Sequence, residues 1–282
     1  MSPVSSLRRG LREEDDEERD ARDGPALTGA VLGGYRLGRY LGRGSTAHGL
    51  EAERLADGAR AVCKVLRACH RGDTAREAAL LHEGELMREL AHPHLMPCLE
   101  GLQDQGHTLL VLPWLGGAPL RDVARAAPLP PGEVVPALLG ALAGLEHLHA
   151  HDVVHRDVKP SNLHRAADGT CRVMDLGLAA FGFGRHGRGA GTAGYRAPEA
   201  ERGAYDERTD LFSLGLTAHW LLTHGLPGRD ERGRPVLDPR LPPMLARWVG
   251  QCVALDPDHR YEDAGRATRT LRAAAAAEGI PA

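Results

Sequence analysis

The spacing of apolar residues changes along the chain, and this change limits the folds that the chain can adopt. From residue 35 to 66, strand-like segments are separated by a Gly-rich turn and by Asp57-Gly58, which favours an antiparallel meander. Beyond residue 118 the apolar positions recur with the helical period. The chain is therefore predicted to be α+β, with a small β part followed by a larger helical part.

The β part is expected to hold one main helix. Leu80, Met87 and Leu90 form one apolar stripe, which predicts a helix over Thr74–Leu90. The predicted strands are Tyr35–Leu41, His48–Arg54, Arg60–Leu66 and Thr108–Leu112. The predicted helices of the second part are Leu120–Ala126, Pro131–His151, Thr209–His224, Pro242–Ala254 and Tyr261–Ala277.

Composition argues against several classes of protein. A formal net charge of −3 gives no general attraction to nucleic acid, and no apolar run is long enough to span a bilayer, so neither nucleic acid nor a membrane is expected as a partner. The five cysteines form no Cys-x-x-Cys pair, which argues against disulfides and zinc. Because no apolar signal segment follows the N-terminus, a cytoplasmic location is expected.

Residues 1–33 are interpreted as a disordered acidic tail. This segment is rich in charge and poor in aromatic residues, so it has little apolar surface to offset the entropy of ordering. The folded domain is expected to begin at residue 34 and to end near residue 275.

Lysine occurs only twice, although lysine and arginine together number 35. Lys64 lies in the segment AVCKVL, and Lys159 lies in HRDVKPSN. Lysine presents a compact point charge where arginine presents a wide planar fork, so a crowded phosphate or carboxylate site can accept lysine alone. The two lysines therefore mark candidate sites for phosphate chemistry.

Four short segments occur in a fixed order along the chain. They are LGRGSTAHG at 41–49, HRDVKPSN at 155–162, DLG at 175–177 and APE at 197–199. A Gly-rich hairpin alone is a weak signal, but the eight residues of HRDVKPSN rarely match by accident. Together these segments make the chain from Tyr35 to about Leu271 resemble a eukaryotic-type serine/threonine protein kinase domain of the soluble, bacterial-like kind.

The resemblance implies a two-lobed fold. The expected N-lobe, over about 35–112, is a small and mostly antiparallel sheet with one main helix. A hinge at 113–117 is expected to lead into a larger, mainly α-helical C-lobe over about 118–275. The implied activity is transfer of the γ-phosphate of ATP to Ser or Thr hydroxyls of protein substrates, with Mg²⁺ as the metal and Mn²⁺ as an alternative.

By resemblance, Lys64 is expected to hold the α- and β-phosphates of ATP and to be steadied by a helix glutamate. Periodicity selects Glu83, because it shares the inward stripe with Leu80 and Met87. Glu85 is rotated about 200° away from Glu83 at the helical ~100° per residue. The residues expected around ATP are Leu41, Gly42, Arg43, Gly44, Ser45, Gly49, Lys64, Glu83, Pro113 and Leu115.

The resemblance also implies roles in the second part. Asp157 is expected to orient the substrate hydroxyl and Lys159 to offset charge on the transferring phosphoryl group. Asn162 and Asp175 are expected to hold the metal through oxygen. The residues expected at the substrate site or in structural supports are Thr192, Glu199, Asp210 and Arg260.

The chain departs from the family pattern in two segments. Residues 178–191, which are expected to form the activation segment, contain no Ser, Thr or Tyr, so we expect either constitutive competence or an activating protein partner. Gly225–Arg240 is rich in Gly, Pro and charge, and the helix that the family carries there is expected to be reduced or missing. Two alternatives stay open, a pseudokinase scaffold that binds nucleotide and a kinase-fold enzyme that phosphorylates a small molecule.

Overall fold

The computed structural model describes residues 23–185, 187 and 189–282. Most of the expected tail, from residue 1 to 22, lies outside the described residues. The chain forms two compact units. The first unit comprises the described part of Met1–Glu89 together with Pro97–Trp114, and the second comprises Leu90–Met96 together with Leu115–Ala282.

A six-stranded antiparallel sheet, with the order β1-β2-β3-β4-β6-β5, forms most of the first unit. Its strands are β1 Val31–Leu32, β2 Tyr35–Arg43, β3 Ala47–Arg54, β4 Arg60–Leu66, β5 Glu100–Asp104 and β6 His107–Pro113. The turn at Asp57-Gly58 joins β3 to β4, and Gly58 has φ +72°, a conformation that glycine adopts without steric cost. The predicted meander is present, and β5 is a strand that the sequence did not indicate.

The expectation of disorder up to residue 33 is wrong for its last part. Leu27 and Leu32 are only 8% and 2% exposed and belong to the core under the sheet. β1 pairs with β2, and the amide of Gly29 donates to the carbonyl of Leu37 at 2.8 Å. From the charged composition of the whole segment, the entropic cost of ordering was expected to keep it disordered. Burial of these two leucines offsets that cost.

Among the described residues of the first unit, the long helix is α1, Thr74–Glu89. Its buried positions include Leu80, Glu83 and Met87, which is the stripe that periodicity indicated. Gly84 lies on the same side, and a Cβ there would come within 2.6 Å of Leu110 Cδ2. Glycine at this position lets the helix approach β6 closely, and this sets the depth of the inward-facing side chains.

The second unit is mainly helical. Its helices are α2 Leu120–Val123, α3 Pro131–His149, α4 Glu207–Thr223, α5 Pro243–Cys252 and α6 Ala264–Ala277. Short strands, most of them in two-stranded pairs, connect these helices: β7 Ala118–Pro119, β8 Val153–Val154, β9 Leu163–Arg165, β10 Cys171–Val173, β11 Ala180–Phe181, β12 Gly184–Arg185 and β13 Ala204–Tyr205. α3 is buried along most of its length, as its nearly continuous apolar sequence requires.

Side-chain caps set where two of the helices begin. Asp206 accepts the amide of Arg208 and forms a capping box with Thr209 at the start of α4. Asp263 accepts the amide of Arg266 at the start of α6. α6 therefore begins at Ala264, three residues later than the predicted Tyr261, because Asp263 and not Tyr261 satisfies the first amides.

The segment between α4 and α5 is a small hairpin. Its strands are β14 Gly228–Arg229 and β15 Pro235–Val236, and Gly233 turns the chain with φ +74°. All residues from 224 to 242 are described, and none of them is helical. The family helix is therefore missing from this segment, which agrees with its Gly- and Pro-rich sequence. Across the described ranges, every helix is too short or too polar to cross a bilayer.

Candidate active site

In the first unit, Lys64 and Glu83 form an ion pair. Lys64 Nζ donates to Glu83 Oε1 at 2.8 Å and to Oε2 at 2.9 Å, and the two side chains are 20% and 4% exposed. The alternation of β4 turns Cys63 to the opposite, buried face, where burial raises the pKa of its thiol to about 12. Lys64 therefore points to the face opposite Cys63, and the carboxylate of Glu83 holds its ammonium group in place.

The Gly-rich segment is the irregular hairpin between β2 and β3. Gly42 has φ +153° and lies opposite Gly49, and the register of the pair shifts just before it. The amide of Gly44 donates to the carbonyl of Ala47 at 2.8 Å, and Arg67 Nη1 donates to the carbonyl of Ser45 at 2.7 Å. Gly49 in turn pairs with Lys64 across β3 and β4. The lysine and the glycines of the loop are thus held in one register.

The residues expected at the hinge lie at the end of β6 and just after it. Pro113 is the last residue of β6 and pairs with Ala61, so its missing N–H falls where the ladder ends. The side chain of Trp114 is covered by Arg60, whose guanidinium carbon lies 4.0 Å from the ring centroid. In the second unit, the carbonyl of Leu115 accepts the amide of Ala167 at 3.1 Å.

In the second unit, three polar side chains converge on Asp157, which is itself only 7% exposed. Its Oδ2 accepts from Lys159 Nζ at 2.6 Å and from Asn162 Nδ2 at 3.0 Å. Its Oδ1 accepts from the amide of Thr192 at 2.8 Å and from Thr192 Oγ1 at 2.7 Å. Lys159 Nζ also lies 2.5 Å from Thr192 Oγ1. The carboxylate, the ammonium group and the hydroxyl therefore form one closed network.

Asp210 holds the backbone that carries this network. It is fully buried in α4 and accepts the amides of His155 and Arg156, each at 2.8 Å. Burial by itself raises the pKa of Asp210, but the hydrogen bond and charge of His149 and the bond from the His155 amide outweigh burial, and the net pKa is lowered. Asp210 is therefore an anion, and its bonds to the main-chain amides of His155 and Arg156 hold the loop in place.

His155 connects the loop to the neighbouring strands. Its Nε2 lies 2.9 Å from the carbonyl of Met174 and its Nδ1 accepts the amide of Asp157 at 3.2 Å. A carbonyl can only accept, so Nε2 carries the proton and Nδ1 is the acceptor. This bond pattern orients Asp157 through its own main chain.

Thr192 reaches Asp157 because the residue before it is glycine. Gly191 has φ +99°, and a Cβ there would lie 2.4 Å from the carbonyl oxygen of Arg156. No other residue type fits this contact, so the Gly191-Thr192 pair packs directly on the loop that carries Asp157. From the sequence, Thr192 was expected at the substrate site or in a structural support. The structure adds two hydrogen bonds that Thr192 donates to Asp157.

The residues expected to hold Mg²⁺ supply suitable donors. Asn162 Nδ2 donates to the carbonyl and the carboxylate of Asp157, which leaves the amide oxygen as a hard ligand on the other side. Asp175 has φ +66°, a strained conformation for a residue other than glycine. One amide oxygen and one carboxylate, completed by phosphate and water oxygens, make a donor set that Mg²⁺ accepts.

Glu199 and Arg260 form a bidentate ion pair at the end of the APE segment. Arg260 Nη1 and Nη2 donate to the two carboxylate oxygens at 2.7 and 2.8 Å, and the Arg260 side chain is fully buried. The remaining guanidinium donors reach main-chain carbonyls, including that of Ala254 at 2.8 Å. A buried arginine with all its donors satisfied is a structural support, because no donor remains for a ligand.

Sequence reasoning missed the role of His149. Its Nε2 lies 2.9 Å from Asp210 Oδ2, a contact that joins positions 61 residues apart and has no local sequence signal. The nearby His147 instead stacks on His92 at a centroid distance of 4.8 Å. Within the described ranges, no group of three or more His, Cys, Asp or Glu side chains is arranged to hold a metal ion.

Comparison with known proteins identifies the family. The model of the protein kinase domain matches residues 35–241, which is most of the chain. The chain belongs to the protein kinase family. The probable serine/threonine-protein kinase SCO3848 of Streptomyces coelicolor is 31% identical to it over 260 residues. This match covers 83% of the present chain and 39% of the Streptomyces protein.

A second relative is the CBL-interacting protein kinase 4 of Oryza sativa, which is 35% identical over 78% of this kinase chain and 52% of the rice protein. A third is PknJ of Mycobacterium tuberculosis, which is 30% identical over 87% of this chain and 46% of the mycobacterial protein. The chain thus spans about half or less of these relatives. The kinase domain of Mycobacterium tuberculosis PknI superposes with a TM-score of 0.68 at 22% identity, over 88% of this chain and 98% of that one. The predicted α+β protein kinase fold is confirmed.

Proposed function

We propose that this kinase-family chain transfers the γ-phosphate of ATP to Ser or Thr hydroxyls of protein substrates. The observation that carries the proposal is the closed network of Asp157, Lys159, Asn162 and Thr192. It places a general-base candidate, a compact cation and a metal-ligand candidate within one hydrogen-bonded group. Phosphoryl transfer needs positioning and charge neutralisation more than covalent chemistry, and these are the groups that supply both.

Each side chain has a separate task in this proposal. Lys64, held by Glu83, neutralises the α- and β-phosphates. Asp157 accepts and orients the proton of the acceptor hydroxyl, and Lys159 offsets the charge of the group in transfer. Thr192 keeps the Asp157 carboxylate in one orientation. When bound by Asn162 and Asp175, Mg²⁺ would supply charge neutralisation between the phosphates.

The domain that performs this reaction is proposed to span residues 34–275, and Leu27 and Leu32, which precede this span, belong to the core of the first unit. The proposed substrates are proteins with Ser or Thr acceptors. Because residues 178–191 offer no hydroxyl to phosphorylate, the proposal includes either constitutive competence or an activating protein partner. Cytoplasmic location stays a prediction.

The test compares phosphotransfer from labelled ATP by the wild type, by Asp157→Asn and by Asp152→Asn. Asp152 is an exposed aspartate with φ +57° that lies five residues before Asp157, and asparagine tolerates this conformation. We expect Asp157→Asn to lower turnover by about 10²–10⁴-fold while ATP binding is retained, because general-base catalysis contributes about this factor. Asp152→Asn should leave turnover unchanged.

Other outcomes identify the alternatives. ATP binding without turnover in the wild type would favour a pseudokinase scaffold. Phosphorylation of members of a metabolite panel, with no product on a Ser/Thr peptide array, would favour an enzyme of small molecules. Equal turnover by wild type and Asp157→Asn would contradict the role given to Asp157.

A further inference from the structure

Residues 23–32 cover the face of the first-unit sheet that lies opposite Lys64. Leu27 and Leu32 belong to the core that contains Cys63, and the alternation of β4 places this core on the face away from the lysine. The segment ends in β1, which pairs with β2. Its last part is therefore built into the sheet, and its first two residues reach the Gly-rich hairpin and the approach to α1.

Gly24 packs against the strands of the Gly-rich hairpin. A Cβ at Gly24 would lie 2.5 Å from Tyr40 Cε2 and 2.7 Å from His48 Nδ1, so the close approach requires glycine. Tyr40 belongs to β2 and His48 to β3, and Tyr40 Oη lies 3.3 Å from His48 Nδ1. The register between the two strands shifts on both sides of Tyr40. Because the ladder is irregular there, the contact with Gly24 adds a second constraint on the hairpin.

Asp23 binds the segment that leads into α1. Arg71 Nη2 donates to Asp23 Oδ1 at 3.2 Å and to Oδ2 at 3.1 Å, and both side chains are partly exposed. The same segment holds the tip of the hairpin, because the amide of Arg67 donates to the carbonyl of Thr46 at 3.0 Å. The hairpin is thus contacted at its strands by Gly24 and at its tip by a segment that Asp23 binds.

We propose that Asp23 and Gly24 are positioning residues for nucleotide binding, which act through the Gly-rich hairpin. This role rests on the proposed function, in which the glycines of the hairpin lie against the phosphates of ATP. Glycine loses more conformational freedom on ordering than any other residue, so a Gly-rich hairpin is costly to order. Contacts that are in place before the nucleotide arrives reduce this cost, and such preorganisation raises affinity.

The first test measures hydrogen exchange at Gly44 in the full chain without nucleotide. The amide of Gly44 donates to the carbonyl of Ala47 at 2.8 Å, so its exchange rate reports opening of the hairpin. Gly24→Ala adds a methyl group that does not fit, and exchange at Gly44 should become about tenfold faster. The matched control is Gly38→Ala in β2, where a Cβ would come no closer than 3.5 Å to the Glu51 carbonyl oxygen. This control should leave the exchange rate unchanged.

Asp23→Asn is a second variant that adds no bulk, so it decides the question if Gly24→Ala unfolds the first unit. Loss of this partly exposed ion pair should speed exchange at Gly44 by about two- to fivefold. The difference should disappear in about 1 M salt, which screens the pair in the wild type, and Asp23→Glu should restore the slower exchange. The control Asp57→Asn removes the partner of Arg54 in the turn after β3 and should change nothing at Gly44.

The second test measures the Kd for Mg·ATP by calorimetry, together with KM and kcat in the assay with labelled ATP. Gly24→Ala and Asp23→Asn should raise both the Kd and the KM by about three- to tenfold, because a smaller fraction of the chain has an ordered hairpin. At saturating ATP the bound nucleotide orders the hairpin, so kcat should stay unchanged. A merely structural role would instead lower the amount of active chain, which reduces the apparent kcat and leaves KM as it is.

Several results would overturn the proposal. They are unchanged exchange at Gly44 in Asp23→Asn, equal acceleration in the control variants, and faster exchange combined with an unchanged Kd for Mg·ATP. A fall in kcat at constant KM has the same meaning, because the two residues would then act on stability alone. If the wild type bound no Mg·ATP, the proposed function would fail, and the exchange rates measured without nucleotide would still decide whether Asp23 and Gly24 hold the hairpin.

Discussion

The replacement Asp210→Asn tests whether one buried carboxylate supports the phosphotransfer loop. Asp210 Oδ1 accepts the amide of Arg156, and Oδ2 accepts the amide of His155 and contacts His149 Nε2, with distances of 2.8, 2.8 and 2.9 Å. Asparagine has one oxygen and one NH₂ group. Whichever way the amide turns, one of the two main-chain N–H groups must face another donor.

The magnitude follows from these bonds. One orphaned buried N–H costs about 1–3 kcal/mol, and the bonds that remain lose charge assistance worth about 1 kcal/mol. Asparagine avoids the desolvation of a buried anion, which offsets part of this loss. We expect Asp210→Asn to lower the free energy of unfolding by about 2–4 kcal/mol, or roughly 5–15 °C in Tm for a unit of this size.

Urea unfolding followed by tryptophan fluorescence measures this change, since Trp220 and Trp248 both lie in the second unit. The control is Asp258→Asn, which removes an aspartate whose side chain is 82% exposed and pairs with Arg208. An exposed pair contributes at most about 1 kcal/mol. Losses of equal size in the two variants would refute the reasoning.

The effect should also depend on pH. The pKa of Asp210 is lowered in the folded chain from the ordinary value of 3.8, so the stability it contributes is present above that value. It is lost as the pH falls below 3.8 and through the folded pKa. The difference between wild type and Asp210→Asn should therefore be constant near neutral pH and shrink below about pH 4.

Three further predictions concern the remaining charged groups. Glu83→Gln leaves Lys64 without its carboxylate, and turnover measured with labelled ATP should fall by about 10- to 100-fold with little change in Tm. Arg260→Lys cannot keep both bonds to Glu199, so urea unfolding should show a loss of about 2–4 kcal/mol. Burial, and to a smaller extent the charge of His151, lowers the pKa of His147 from its ordinary value of 6.5. The folded chain therefore favours the neutral imidazole, and the free energy of unfolding should fall as the pH drops below 6.5. His147→Phe keeps an aromatic ring and should reduce the slope of the urea midpoint between pH 7 and 5.

Local patterns predicted the parts of the molecule that depend on local forces. The stripe that contains Leu80 and Met87 located α1 to within one residue and placed Glu83 on its buried face. Alternation likewise located β4 with Lys64 and Cys63 on opposite faces. In both elements a single period decides which side chain faces inward, so no knowledge of distant residues is needed.

The features that the sequence did not predict depend on contacts between distant segments. Leu27 and Leu32 lie in a charged segment, and only the presence of the sheet makes their burial favourable. β5 has Leu102 as its single large apolar residue, and it is a strand because it pairs with β6. The contact of His149 with Asp210 crosses 61 positions. Composition and periodicity describe a segment by itself, so they cannot report a partner of this kind.

Arg156 shows how a departure from the family pattern is accommodated. It has φ +67°, its Nε donates to the carbonyl of Leu178 at 2.5 Å, and its guanidinium carbon lies 5.2 Å from the centroid of Tyr205. Burial lowers the pKa of Arg156, which makes a neutral acceptor and an aromatic face suitable neighbours. Residues 178–191 provide no hydroxyl to phosphorylate, and a carbonyl and a ring of the same chain contact the cation instead. Under the proposed activation by a partner, a bound protein that moved Leu178 or Tyr205 relative to Arg156 would break these contacts without any covalent modification of the segment.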